Sequence, residues 1–98
     1  MQKKLIEVPR TTLEIYHYTE DGASVYEFDA TECSPPEPMV NTIVMLEQLK
    51  TSQERLKVLF FHEPTPLYER ISQHFSYVSQ EMESGDVLVT FQRKKVEL

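Results

Sequence analysis

A chain of 98 residues, 40% hydrophobic and 27% charged, can build one globular core but not two, and its composition is globular rather than disordered. Its net charge of −6 is concentrated before Lys50, where Glu7, Glu14, Glu20, Asp21, Glu27, Asp29, Glu32, Glu37 and Glu47 face only Lys3, Lys4 and Arg10. An acidic surface repels phosphate, so nucleic-acid binding is disfavoured, and Arg93-Lys94-Lys95 reads as a solvated tail.

No apolar run is long enough to cross a bilayer, and Met1-Gln2-Lys3-Lys4 has no apolar segment behind it of the kind a secretory signal needs. The lone Cys33 forms no internal disulfide, which agrees with a reducing compartment. A single cytoplasmic domain over 1–98 is expected, without a membrane partner.

Along the chain, Lys4 to Val8 suits a short strand or arm that Pro9 restricts to an edge or a turn. Asp21-Gly22 is the signature of a two-residue hairpin turn with positive φ at both positions. It predicts Glu20 opposite Ala23, His17 opposite Tyr26 and Ile15 opposite Phe28, with Ile15 and Phe28 facing the core and Glu27 facing away. Glu14 and Asp29 would oppose each other as like charges, so fraying is expected there.

Cys33-Ser34-Pro35-Pro36-Glu37-Pro38-Met39 then separates a strand from a helix. Residues before proline avoid the helical region, so Ser34, Pro35 and Glu37 are predicted extended, with Glu37 capping a helix that begins at Pro38. Met39, Val40, Ile43, Val44 and Leu46 form its apolar stripe.

Beyond the polar link Thr51-Ser52-Gln53-Glu54, the run Leu56 to Phe61 reads as a central strand. Pro64-Thr65-Pro66 predicts a second, short helix with Thr65 as its cap and Pro66 first inside it. Phe75 to Met82 and Val87 to Gln92 read as a closing hairpin around Glu83-Ser84-Gly85-Asp86. The order ββαβαββ implies an α/β (α+β) two-layer sandwich, with two helices on one face of a mixed sheet. Tyr16, Tyr18, Val25, Leu59 and Phe61 are candidates for an apolar patch on the uncovered face.

The stretch Tyr26 to Arg93 resembles the TusA/SirA-like superfamily of βαβαββ proteins, whose sulfur carriers begin their first helix with Cys-Pro-x-Pro. Aligned on Pro36-Glu37-Pro38, the sulfur-carrying position falls on Pro35, and Cys33 lies two residues earlier. The pair Pro-Pro-Glu-Pro-Met and His62-Glu63-Pro64-Thr65-Pro66-Leu67 looks more like a bacterial branch of that superfamily that has no settled activity and is sometimes fused to hemerythrin-type domains. The resemblance implies a family-like core over 25–93, preceded by an N-terminal extension over 1–24 that forms a hairpin with core strand 1. It further implies core strands in the order 1-2-4-3.

Loops leaving parallel strands at their carboxyl ends lie side by side, so Thr31 to Pro38 and His62 to Pro66 are expected to converge. The candidate binding residues are Cys33, Pro35, Pro36, Glu37, Met39, His62, Glu63, Pro66 and Tyr68. The bland alternative is that the prolines only stiffen two turns. If the proline-rich segment were straight, Cys33 would stand roughly 12 Å from the helix end, and Asp29 and Glu32 would oppose a thiolate. His62 beside Glu63 suggests a histidine whose protonated form a carboxylate favours.

Cys33, Glu37, His62 and Glu63 lack metal-ligand spacing, His17 and His74 lie in other elements, and no glycine-rich loop or nucleophile elbow occurs. The expectation is a non-catalytic module with no cofactor or metal, binding a protein partner or small ligand and open to homodimerisation through the sheet's bare face or edge. The alternatives are a sulfur-carrier or thiol-redox protein using Cys33, and a metal- or haem-linked accessory domain.

Overall fold

The computed structural model describes residues 2–94. The elements are β1 (Lys4–Ile6), β2 (Ile15–Glu20), β3 (Ala23–Asp29), α1 (Glu37–Gln48), β4 (Glu54–Phe60), α2 (Thr65–Ile71), β5 (Phe75–Glu81) and β6 (Val87–Arg93). One mixed sheet has the order β1-β2-β3-β4-β6-β5, with only β3 and β4 parallel. The α+β two-layer class read from the sequence is the one found, and β3-β4-β6-β5 reproduces the 1-2-4-3 order.

Asp21 and Gly22 take φ of 52° and 80°, and the turn they form sets Glu20 opposite Ala23 and His17 opposite Tyr26. Alternate residues then point to opposite faces. Ile15, Phe28, Leu56, Val58, Phe60, Val87, Val89 and Phe91 meet Met45 and Leu46 of α1, Leu49 just after it, and Leu67, Tyr68 and Ile71 of α2 in one core. The β2–β3 ladder stops at Tyr16 and Glu27, so Glu14 and Asp29 are left unpaired with each other.

Both helices start one residue earlier than the proline pattern implies. Pro36 rather than Glu37 caps α1, and Pro64 rather than Thr65 caps α2; neither helix has a side-chain cap. The last proline of each motif, Pro38 or Pro66, lies inside the first turn, where its missing N–H leaves no intrahelical bond unmade. The buried stripe of α1 is also rotated: Val44 and Leu46 of the expected stripe are buried and Met39 and Ile43 partly so, but Val40 is 46% exposed, while Asn41, Thr42 and Met45 are buried.

Asn41 explains the rotation. Its Oδ1 accepts the Thr12 N–H at 2.8 Å, and its Nδ2 donates to the Thr12 hydroxyl and the Glu37 carbonyl, each at 2.9 Å. A fully satisfied buried amide fixes the segment before β2 against α1.

Among the described residues, the candidates for an apolar patch on the uncovered face are not fully exposed there, Tyr16 and Leu59 being half-buried. Val25 and Tyr18 lie there but are buried, and Phe61 belongs to the loop after β4. Lys3 pairs with Glu27, Glu27 accepts the Tyr18 hydroxyl at 3.0 Å, and Lys57 pairs with Glu20 at 3.2 Å. Long charged side chains lay their aliphatic stems over apolar neighbours while keeping their ends wet.

Candidate functional site

The parallel strands β3 and β4 end at the same rim, where the Ala30 N–H reaches the Leu59 carbonyl at 2.8 Å. From there the chain makes two tight turns. The Cys33 N–H donates to the Ala30 carbonyl at 3.4 Å, and the Glu37 N–H to the Ser34 carbonyl at 3.1 Å, with Pro35–Pro36 in the cis form between them. Asp29 stabilises the first turn by accepting from the Thr31 N–H and hydroxyl at 2.8 and 2.6 Å.

The segment is therefore folded, not straight, and the expected separation of Cys33 from the helix start does not occur. The Glu37 carboxylate accepts the Thr12 hydroxyl at 2.5 Å, and its charge bears on the Cys33 thiol. Burial pushes the thiol's pKa up, and the Glu37 charge and hydrogen bond, then Asp29 and Glu32, push it the same way. Proximity to the helix thus brings a carboxylate, the opposite of what a nucleophilic thiolate requires.

The two proline-rich loops enclose a cleft of about 310 Å³. Buried Ala30, Phe60 and Leu67 line its base; Cys33, Pro35, Pro36, Pro38 and Met39 form one wall, and Phe61, His62, Glu63 and Pro64 the other. The lining is predominantly apolar. Phe61 is 60% exposed, and its ring centroid lies 4.4 Å from that of His62. The Arg70 guanidinium touches the Met39 sulfur at 3.6 Å.

Of the residues singled out in the sequence, Cys33, Pro35, Pro36, Met39, His62 and Glu63 line this cleft, whereas Glu37, Pro66 and Tyr68 do not. Glu37 is held instead by the Thr12 hydroxyl. Tyr68 is buried, stacks on Tyr77 with ring centroids 3.7 Å apart, and donates its hydroxyl to Glu63 at 2.7 Å. Glu63 is thus engaged by Tyr68, in place of the His62–Glu63 partnership expected from adjacency.

Phe61, Pro38 and Pro64 were missed as wall residues, and Ala30, Phe60 and Leu67 as the base. The signal available was positional, since residues at the carboxyl end of a parallel strand form the floor beneath its loops.

His17 contacts Ser24 Oγ at 2.8 Å and packs on Tyr26, while His74 is exposed at the end of the turn after α2. Among the described residues, no three His, Cys, Asp or Glu side chains converge as a metal site, and no helix is long and apolar enough to cross a membrane. No family model, curated protein or solved structure matches the chain.

Proposed function

We propose that the protein is a small, non-catalytic binding module of the TusA-like kind, acting in the cytoplasm, whose two proline-rich loops grip an apolar group of a protein partner or small ligand. The observation that carries this reading is the cleft: an apolar lining with stiff proline walls, and within it a thiol whose pKa burial and the Glu37 charge raise. A volume at the lower end of the ligand-pocket range suits a single ring or a branched aliphatic side chain. The strand order is the one the resemblance implies, and fold alone carries neither family nor activity.

Titration with the neutral apolar dye Nile red tests the reading, with emission rising on binding. Phe61→Ala should weaken binding about tenfold, roughly 1.4 kcal/mol, and His62→Ala should weaken it less. Both side chains are exposed, so the unfolding midpoint should hardly move. No dye binding, or equal binding by both variants and the native chain, would sink the proposal.

A second reading, sulfur carriage on Cys33, is favoured only by the thiol's place in the cleft wall. Incubation with a cysteine desulfurase and cysteine distinguishes the two. A stoichiometric persulfide lost in Cys33→Ser would replace the binding module with a carrier, and an unmodified intact mass supports the module.

A further inference from the structure

The two edges of the sheet are unlike. At one edge β1 has only three residues and is flanked by Lys3 and Glu7, features that discourage another strand from pairing. At the other edge β5 runs Phe75–Glu81, paired one-to-one with β6 without a bulge, and six of its seven side chains are exposed. It contains no proline or lysine, its only charge is Glu81 at the end, and Val78 at its centre is 71% exposed. A long, flat, nearly uncharged edge is a template for strand addition.

We propose that β5 pairs antiparallel with β5 of a second copy across a two-fold axis at Val78, joining two six-stranded sheets into one. The charges select this partner and register. Centring on Val78 pairs every residue of the strand: Val78 meets Val78, Tyr77 meets Ser79, Ser76 meets Gln80, and Phe75 meets Glu81. Glu81 therefore arrives beside the Phe75 ring, over which Arg93 of the same copy as Phe75 places its guanidinium 5.7 Å from the centroid. The two-fold axis repeats this acid–base meeting at the other end, and no like charges face each other along the ladder. Neighbouring strands lie about 4.8 Å apart, so Glu81 of one copy and Arg93 of the other come within side-chain reach across Phe75. No β5 residue lines the cleft, and the proposal does not depend on the binding-module reading.

Light scattering coupled to size exclusion, over a micromolar to millimolar range, tests the proposal on the full chain. The mass should rise with concentration to twice the 11.5 kDa of one chain. Val78→Lys places two ammonium groups on the axis and should abolish the dimer, with the circular dichroism spectrum confirming that the monomer is folded. Glu81→Arg should weaken dimerisation at least tenfold, and Glu81→Arg with Arg93→Glu should recover most of it, a rescue that carries the test if Val78→Lys does not fold. A chain monomeric at millimolar concentration, a dimer indifferent to Val78→Lys in the folded variant, or failure of the charge swap to rescue would overturn the proposal.

Discussion

The covered and uncovered faces of the sheet bury their residues by different means. On the covered face Ile15, Phe28, Val58, Val89 and Phe91 interlock with two helices, and burial follows from apolar area alone. On the other face Val25 is fully buried and Tyr18 is 6% exposed without any helix above them. A lysine–glutamate pair, a tyrosine hydroxyl and a second ion pair close over the sheet instead. A bare sheet face is thus not by itself a sticky one, and that directs attention to the strand ends and the β5 edge for binding.

Mutations that separate the two faces should differ in size. Phe28→Ala removes a large ring from the helix-covered core and should cost about 3–5 kcal/mol in urea unfolding. Glu27, one residue away and on the other face, is not the idle surface acid its position in the hairpin suggested, because it accepts the Tyr18 hydroxyl. Glu27→Ala should cost about 1–2 kcal/mol by leaving that hydroxyl unpaired. In the Tyr18→Phe background the same change should cost distinctly less, and equal costs in both backgrounds would break the account of the open face.

Each face also holds a tyrosine whose ionisation is opposed. For Tyr18 burial comes first and Glu27 second; for Tyr68 burial comes first and Glu63 second; both pKa values are raised. The unfolded chain therefore loses these protons first, near pH 10 for ordinary tyrosine. Stability should be whole below that pH and fall as pH rises through it, because the folded state retains the protons longer. Unfolding midpoints measured on either side of pH 10 should show the fall, and Tyr18→Phe and Tyr68→Phe should each flatten it.

The smallest effect belongs to the Lys57–Glu20 pair, which remains partly open to solvent. Lys57→Ala should cost no more than about 1 kcal/mol, and less in high salt. A larger, salt-insensitive loss would mean that the lysine stem, not its charge, is what covers the sheet.

Sequence alone determined the element order, the class of fold and the register of the first hairpin, because those depend on local rules. Asp21-Gly22 admits one tight hairpin turn, alternation assigns the faces, and β4 is apolar enough to be central. The same rules placed the two proline-rich loops at one rim, through the parallel pairing of β3 and β4.

Tertiary structure decided what depends on partners distant in the chain. Asn41 is buried because Thr12, which precedes it by 29 residues, satisfies its amide, and this turned α1 so that Val40 faced outward. Glu63 is drawn to Tyr68, and Glu37 to Thr12, by contacts that no spacing encodes. The Cys33 pKa is raised for the same reason: a thiol takes its pKa from the charges and burial around it, and those are set only once two turns have folded the segment before α1.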